Sequence, residues 1–596
     1  MGLCATTSLA ASLPPRAVSG VVTDPGQVDG KTFDYVVVGG GLTGLAVAGR
    51  LSEMADKTVL VIEVGNDTRN DPRVYDIYRY GEFPPDLLWN FAAEDGRGML
   101  AGRTLGGSSS VNGATWTRGA ISQYDALSEL LDPADANLGW NWDGLFSYMK
   151  KAENFSAPTD DQKAKGADYT ESYHGYSGPV HSTFPMDMYG TPQPEFSQAV
   201  VNLGLRKCQD LNGGDPNCVA FVPHSLNRAD SDHRSSSATA YLSPVESTRT
   251  NWLTLTGHQV TKINFANSTS LPRVATSVSF GTAYGQQYTA YAAKEVILAA
   301  GAINTPALLQ LSGIGDPALL SGLGIETIVN LTTVGRNLQD QTLSTLSCKT
   351  VASYQPQGRG PADVIAYPNL YELFGSSSAG STINGSLDAW ASAQADNALS
   401  ATALRKIYDV QARAITEHKA PIAELYFMPG GPDSVGAIVW QLLPFSRGSV
   451  RISSTDPFQQ PSARVGYFSL DFDMAVQVYA TRMLRNAFKT TPMNAICETE
   501  TAPGFSAVPD NGEGGADADW ATWIKGEYVS VSHQLGTAAM MSRDLGGVVD
   551  GRLRVYDTKN LRVVDASILP LQISAHLSAT LYGVAEKAAD LIKSDA

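Results

Sequence analysis

The chain has 596 residues, and its 59 acidic side chains outnumber its 43 basic ones, which gives a formal net charge of -16. This surplus of negative charge argues against a nucleic-acid-binding surface, which needs a basic face. Apolar residues make up 43% of the chain and charged residues only 17%, a composition typical of a globular protein with a large core. No stretch approaches the ~20 consecutive apolar residues that a membrane span requires.

The N-terminus and the cysteines bear on the compartment. The first residues, MGLCATTSLAASLPP, are small and mostly apolar and resemble the end of a signal peptide, although they lack a basic n-region. If Cys4 belongs to this leader, an even number of cysteines remains, which allows two disulfides: Cys208, Cys218, Cys348 and Cys497. Cys208 and Cys218 flank a Gly-Gly-Asp-Pro turn and are the obvious local pair. Five N-x-[ST] sequons begin at Asn66, Asn154, Asn267, Asn330 and Asn384. These features predict a secreted glycoprotein, with four free thiols in a cytosolic enzyme as the alternative.

The segment 33–65 predicts a strand-helix-strand unit. Tyr35 to Val38 is a continuous apolar run, as expected of a parallel strand that is buried on both faces. A glycine-rich turn over 39–44 follows. Leu45 to Met54 then has helical spacing, and Thr58 to Ile62 predicts a second strand.

Later parts of the chain return to the same pattern. A strand over Val296 to Ala299 precedes Gly301 and a helix over Ile303 to Leu311, and a strand over Leu561 to Val564 precedes a closing helix over Ala579 to Ile592. The segments between these elements are rich in Trp, Tyr, Pro and Gly and contain short β-like runs, of which Ser449 to Ile452 is one. We interpret these segments as a second domain inserted into the first.

The glycine-rich turn fits the pattern G-x-G-x-x-G. Gly39 permits the turn, Gly41 lets a pyrophosphate approach the backbone, and Gly44 lets helix and strand pack closely. The start of the helix offers unpaired N–H groups to phosphates. Glu63 lies 19 residues after Gly44, close to the ~20 expected for an acid that binds a ribose hydroxyl. The unit therefore predicts a site for FAD or NAD rather than NADP.

A second glycine cluster, GRTLGGSSSVNGATWTRG at 102–119, identifies a family. With GAINTPALLQLSGIG at 301–315, GRNLQDQ at 335–341, SHQLGTAAMM at 532–541 and LRVVDASILPLQISAHLSATLYG at 561–583, it resembles the signature segments of the glucose-methanol-choline (GMC) FAD oxidoreductases. Within that family the likeness is to the fungal branch with glucose oxidase, FAD-dependent glucose or oligosaccharide dehydrogenase and aryl-alcohol oxidase.

The resemblance implies an α/β and α+β fold. In it, a Rossmann-like FAD-binding domain is interleaved with a substrate domain built on an antiparallel sheet. We predict a leader remnant and N-terminal arm at 1–30, an FAD-binding domain from 31–119, 240–345 and 545–596, and a substrate-binding domain from 120–239 and 346–544.

The resemblance also implies FAD as the cofactor. Some members attach it covalently through a histidine in the GRxxGG loop, and none of the eight histidines lies in 102–119, so we predict non-covalent FAD. Matched motif by motif, the expected FAD contacts are Gly39, Gly41, Leu42, Thr43, Gly44, Glu63, Arg103, Gly107, Ser108, Asn112, Gly113, Thr115, Val260, Asp565, Ala566 and Ser578.

Oxidising an alcohol needs a base for the hydroxyl proton and groups that hold the oxygen as charge develops. His533 matches the family's base and His576 its second histidine, which hydrogen-bonds the substrate oxygen, while Glu424 matches a carboxylate that orients the second histidine. No CxxC or HxxxH pattern indicates a metal site. The candidate aromatic walls of the substrate pocket are Tyr80, Tyr426, Phe427 and Trp440.

Departures from the family bear on the substrate. Glucose-specific relatives carry polar residues that grip the sugar where this chain has Ile438, Val529 and Val531, and a bulky aromatic residue where it has Ser532. Losing such polar groups weakens discrimination. We nevertheless predict a sugar substrate, glucose or an oligosaccharide, with electrons passed to a quinone or redox protein. The alternatives are an oxidase that uses O2 and gives H2O2, an oxidoreductase of aryl or other primary alcohols, and a non-redox cyclase with structural FAD.

Overall fold

The computed structural model describes residues 20–355, 358–431 and 433–595. The predicted leader, including Cys4, lies outside the described residues. Two large β-sheets form the centre of the fold, and helices cover both of them. The predicted combination of a Rossmann-like α/β part with a part built on an antiparallel sheet is confirmed.

The first sheet has nine strands and a parallel centre. Strand Thr32–Val38 lies between Val59–Ile62 and Gln287–Leu298 and is parallel to both. The Val-rich runs of Thr32–Val38 and Val59–Ile62 and the last three residues of Gln287–Leu298 are buried, as in parallel sheets that are covered on two faces. The order across the sheet is Gly20–Val22, Trp252–Leu255, Val59–Ile62, Thr32–Val38, Gln287–Leu298, Arg273–Gly281 and Gln259–Phe265, with Thr558–Lys559 beside Arg273–Gly281 and Leu561–Val563 beside Gln287–Leu298.

Three helices accompany this sheet: Leu42–Leu51, Gly301–Leu311 and Ser578–Asp595. The first begins at Leu42 rather than at the predicted Leu45, because Gly41 is its N-cap and the turn after the strand needs no further residues. The first and last of these helices pack against each other beside the sheet, although more than 500 residues separate them in the chain.

The second sheet has seven strands, and each neighbouring pair in it is antiparallel. Helix Asp471–Lys489 packs against it. The domain boundary predicted between residues 345 and 346 lies inside one of its strands, Thr342–Thr350. The order is Cys497–Ala502, Thr342–Thr350, Ser434–Gln441, Ala423–Met428, Val364–Ala366 and Val219–Phe221, with Val529–Ser530 paired to Thr342–Thr350.

Smaller elements complete the described chain. The other α-helices are Pro72–Tyr75, Ile121–Glu129, Trp142–Ala152, Asp160–Ala164, Gln193–Asn202, Pro317–Gly322, Leu370–Phe374, Ala379–Gln394, Ala401–Thr416 and Asp517–Glu527. The small sheets pair Leu88–Ala92 with Gly98–Gly102, Glu153–Ser156 with Val180–Thr183, Leu226–Asn227 with His233–Arg234, Ile314–Gly315 with Val329–Asn330, and Gly448–Arg451 with both Arg336–Leu338 and Ser462–Arg464.

The described residues form two disulfides. The predicted local pair, Cys208 and Cys218, is bonded, and Cys348 is bonded to Cys497 across adjacent strands of the second sheet. Within the described ranges, no helix combines the length and the apolar character that crossing a bilayer demands.

A buried cluster of charges joins distant segments of the chain. The Nδ1 and Nε2 atoms of His174 lie 2.9 Å from carboxylate oxygens of Glu153 and Asp210, respectively, and Arg118 donates to Glu153 at 2.7 Å. The four side chains are at most 3% exposed. Burial alone would lower the pKa of His174, but the two carboxylates raise it above its ordinary value. The protonated ring and the guanidinium therefore balance two buried carboxylates.

We expect the free energy of unfolding to fall on the alkaline side as His174 loses its proton. Because its pKa is raised in the folded state, its stabilisation is complete below the ordinary value of ~6.5 and is lost as pH rises through the folded value. Thermal unfolding between about pH 5 and about pH 10 measures this. The neutral variant His174→Gln should lose about 3 kcal/mol at neutral pH and flatten the alkaline decline, whereas His418→Gln, at an exposed position, serves as the control. An alkaline decline that stays unchanged in His174→Gln would contradict this role.

Candidate active site

A cavity of about 940 Å³ lies between the two sheets. On one side it is lined by Val38 and Ile62, at the carboxyl ends of parallel strands, where ligands bind in open α/β sheets. On the other side it is lined by Trp440 of the second sheet and by residues 530–534. Segments that are distant in sequence therefore form its wall.

The glycine-rich turn forms one end of the cavity. Gly39 has φ 104°, and a Cβ there would lie 2.5 Å from the carbonyl oxygen of Ala299, so the two strands approach too closely for a side chain. A Cβ at Gly44 would lie 2.0 Å from the Gly39 carbonyl oxygen. Gly41 faces the cavity as the N-cap of the helix, and no side chain caps the helix there. This open helix start has the N–H groups and the dipole to bind a phosphate.

Glu63 follows strand Val59–Ile62 and is 5% exposed. Its carboxylate accepts hydrogen bonds from the backbone N–H groups of Gly40 at 2.7 Å and Gly65 at 2.8 Å. Burial raises its pKa to about 7. A carboxylate offers about four acceptor positions, so it retains capacity for ribose hydroxyls.

Asn112 and Asp565 are each fixed by several hydrogen bonds. The Asn112 amide donates to Ser578 Oγ at 3.1 Å and accepts from Arg234 at 2.8 Å. The Asp565 carboxylate accepts from the N–H of Gly301 at 2.9 Å and from Thr305 Oγ1 at 2.6 Å. The cavity thus has polar groups of fixed direction on both walls, and together with the glycine-rich turn they fit a dinucleotide with a diphosphate.

Most of the predicted FAD contacts line this cavity. The exceptions are Gly44, which is packed behind the turn, and Arg103, whose guanidinium lies 4.9 Å from the centre of the Trp89 ring. The lining residues are Gly39, Gly41, Leu42, Thr43, Glu63, Gly107, Ser108, Asn112, Gly113, Thr115, Val260, Asp565, Ala566 and Ser578.

The two predicted histidines meet in the cavity wall. The ring centres of His533 and His576 are 5.7 Å apart, and the rings are nearly perpendicular at 85°. His533 Nδ1 lies 2.8 Å from the side-chain oxygen of Gln341. Because a carbonyl oxygen only accepts, Nδ1 carries the proton and Nε2 is an unprotonated acceptor. Burial and the nearby His576 lower the pKa of His533 to about 3, which keeps the ring neutral.

His576 is oriented by the predicted carboxylate. Its Nε2 atom lies 2.9 Å from Glu424 Oε1, and the Glu424 side chain is fully buried. The His576 backbone N–H donates to Thr117 Oγ1 at 2.9 Å. Glu424 does not line the cavity, so it contacts the histidine from behind.

Sequence reasoning did not assign the residues that hold His533. Asp340 accepts from the His533 backbone N–H at 2.9 Å, from Tyr467 at 2.6 Å and from Ser530. Gln572 donates to the His533 carbonyl oxygen at 2.9 Å. The available signal was the family segment 335–341, which ends in Asp340 and Gln341.

A hairpin over residues 88–102 contacts the loop that carries His533. The Leu100 N–H donates to Ser532 Oγ at 3.0 Å, and Ser532 has φ 66°. At the tip of the hairpin, Arg97 donates to the carbonyl oxygens of Lys525 at 2.9 Å and Gly526 at 3.1 Å, at the end of helix Asp517–Glu527. Several residues of the hairpin also line the cavity.

The four predicted wall residues differ in placement. Tyr80, which is 55% exposed, and Trp440 line the cavity. The Tyr426 ring also lines it, but its hydroxyl bonds Thr115 at 2.9 Å instead of being free for a ligand. Phe427 does not line the cavity; it is fully buried and stacks on Phe196 at 4.6 Å, because successive strand residues point to opposite faces.

Known proteins share this architecture. Families described as GMC oxidoreductase match residues 33–343 and 444–585. The chain is 36% identical to a glucose oxidase of Aspergillus carbonarius, over 99% of this chain and 97% of that enzyme. It superposes with a TM-score of 0.85 on an FAD-dependent oxidoreductase from Chaetomium thermophilum, at 28% identity over 94% of this chain and 99% of the other. For a fungal aryl-alcohol oxidase the TM-score is 0.82, at 30% identity over 94% and 99%. The chain therefore belongs to the GMC oxidoreductase family of FAD enzymes.

Proposed function

We propose that the protein is a secreted oxidoreductase that oxidises an alcohol to a carbonyl compound, with His533 as the base. The observation that carries this proposal is the facing pair of His533 and His576 in a cavity whose other end fits a dinucleotide. When bound, FAD supplies the acceptor for the hydride that leaves the alcohol carbon. The two disulfides support secretion, because disulfides persist in oxidising compartments.

We propose a separate role for each of the residues around the histidine pair. His533 receives the hydroxyl proton at Nε2, since its Nδ1 proton is held by Gln341. His576 holds the substrate oxygen through the ring nitrogen that Glu424 leaves free. Asp340 keeps the loop of His533 in place.

The walls around the histidine pair bear on the substrate class. Leu100, Leu343, Ile438 and Val531 line that part of the cavity, and their side chains offer no hydrogen bond to a sugar hydroxyl. The 36% and 35% identity to two glucose oxidases, over 99% and 97% of this chain, supports the sugar substrate that the sequence predicts. The walls favour an alcohol with an aromatic or other apolar body. We infer that such an alcohol is oxidised with a higher kcat/KM than glucose.

Two electron acceptors are candidates. The sequence predicts a quinone or a redox protein, whereas the oxidase activity named for the relatives supports O2. We propose O2 as the acceptor, with H2O2 as its product. A non-redox cyclase with structural FAD is the rival from another class, and the presence of both histidines in the cavity argues against it.

A substrate panel tests the proposal. With aryl alcohols, short primary alcohols, glucose and cello-oligosaccharides, we expect the highest kcat/KM for an aryl alcohol, and H2O2 in an amount equal to the carbonyl product. Under anaerobic conditions the same alcohol should bleach the flavin absorbance. His533→Ala should lower kcat by about 10²-fold or more with FAD still bound, and His418→Ala on the surface is the control.

Other outcomes of the panel would overturn parts of the proposal. A higher kcat/KM for glucose or an oligosaccharide would make the protein a sugar oxidoreductase. Reduction of a quinone dye without H2O2 would make it a dehydrogenase. A flavin that no alcohol bleaches would point to non-redox chemistry.

Gln341 should control the tautomer of His533. Gln341→Leu removes the acceptor for Nδ1–H, so we expect kcat to fall at least tenfold, with unchanged FAD content, because the ring can then carry its proton on Nε2. Gln341→Glu keeps an acceptor and should retain activity, but its charge favours the protonated ring and should move the acid limb of the kcat/KM profile to higher pH. Equal activity of the wild type and Gln341→Leu would contradict the role.

FAD should be bound without a covalent link. Acid precipitation of the holoprotein should leave the yellow flavin in the supernatant, since no histidine lies in the 102–119 loop that matches the family's attachment site. Absorbance of pellet and supernatant measures the partition. Flavin that remains in the washed pellet would contradict the prediction.

A further inference from the structure

Arg234 is a buried arginine directly behind the cavity wall. It is 3% exposed and lies on the short strand His233–Arg234. Its Nε atom donates to the carbonyl oxygen of Val74 at 3.0 Å, and its Nη1 atom donates to Asn112 Oδ1 at 2.8 Å and to the Ser109 carbonyl oxygen at 3.4 Å. Its Nη2 atom is buried without a hydrogen-bond partner.

No carboxylate of the described chain forms an ion pair with Arg234. Burial lowers its pKa to about 10, and only the tyrosines Tyr80 and Tyr582 oppose that effect. Two other buried arginines are paired: Arg118 with Glu153 at 2.7 Å and Arg485 with Glu500 at 2.6 Å. A buried charge without a counter-charge is costly, so this cation calls for a negative partner from outside the chain.

The position of Arg234 indicates which part of the cofactor supplies this negative group. Asn112, which it orients, lines the cavity and is bonded to Ser578, two residues after His576. Burial, and then the charges of His576 and Arg234, lower the pKa of the enclosed His224 to about 3. Arg234 is therefore close to the histidine-pair end of the cavity, whereas the open helix start at Gly41 forms the end suited to the diphosphate.

We propose that Arg234 is a positioning residue for the flavin, which fixes Asn112 against it and stabilises the negative charge that the isoalloxazine ring gains on reduction. A hydride carries two electrons and one proton, so its transfer from the alcohol carbon adds one negative charge to the ring, while the hydroxyl proton goes to the base. A cation held in a water-poor wall acts strongly on such a charge. The proposal rests on the FAD site and not on which alcohol is oxidised.

The test is the two-electron midpoint potential of the bound flavin, measured by dithionite titration of the holoprotein against a reference dye. For Arg234→Met we expect the equilibrium constant for reduction to fall at least tenfold, which is about 30 mV for a two-electron couple. Arg234→Lys keeps the charge and should remain within about threefold of the wild type. Dithionite replaces the alcohol, so failure of the proposed substrate would not affect the result.

Arg447→Met is the matched control. Arg447 is also buried without an ion pair, at 8% exposure, but its nitrogens donate to Asn337, Pro444, Ser446 and Gln411, and it does not line the cavity. This variant should lose stability without a change in potential. If Arg234→Met does not fold, Arg234→Gln, which can still donate to Asn112, takes its place.

Three results would overturn the proposal. The first is a neutral variant at position 234 with the wild-type potential. The second is an unchanged potential with a tenfold weaker affinity of the apoprotein for FAD, measured by flavin fluorescence, because that would assign the charge to the diphosphate. Equal shifts in Arg234→Met and Arg447→Met would also overturn it, since both would then reflect general loosening of the fold.

Discussion

The geometry of the candidate active site depends on the hydrogen bonds that the buried carboxylate of Asp340 accepts. It is 2% exposed and accepts from the backbone N–H of His533, from Tyr467 and from Ser530. Burial raises its pKa, and these donors oppose that effect. Because Asp340 and Gln341 are adjacent in sequence, one short segment before strand Thr342–Thr350 fixes both the position and the tautomer of His533, the proposed base. The cavity, the second histidine and the substrate walls are arranged around that fixed ring.

Much of this could be predicted from the sequence, for identifiable physical reasons. The apolar run Tyr35–Val38 and the glycines after it predict a buried parallel strand followed by a helix, and the structure has both. The helix starts at Leu42, three residues before the start that the apolar spacing predicts. The second sheet is harder to predict from the sequence, because its strands come from distant segments whose pairing no local pattern encodes. For the same reason a predicted domain boundary lies inside Thr342–Thr350. The sequence predicts both Tyr426 and Phe427 as pocket walls, but successive strand residues point to opposite faces, and only Tyr426 lines the cavity.

The distribution of charge in the cavity is consistent with one long ligand in one orientation. The carboxylate of Glu63 lies at the end of strand Val59–Ile62, beside the uncapped helix start at Gly41. The guanidinium of Arg234, which has no counter-charge, lies toward the histidine pair. Each group would be costly to bury in an empty protein, and each is complementary to a different part of a dinucleotide. The overall charge of -16 thus coexists with an unpaired guanidinium, that of Arg234, behind the cavity wall.

The hairpin over residues 88–102 has a consequence for protein engineering. It contacts the loop of His533 through Leu100 and helix Asp517–Glu527 through Arg97. At its other end the Gly102 N–H donates to Ser108 Oγ in the glycine cluster 102–119. One surface ribbon therefore spans the substrate side and the cofactor side. Grafting the loop before His533 from a relative, in order to change specificity, would leave a mismatched partner at Leu100 unless the hairpin were transplanted with it. The two segments form a single exchangeable module although more than four hundred residues separate them in the chain.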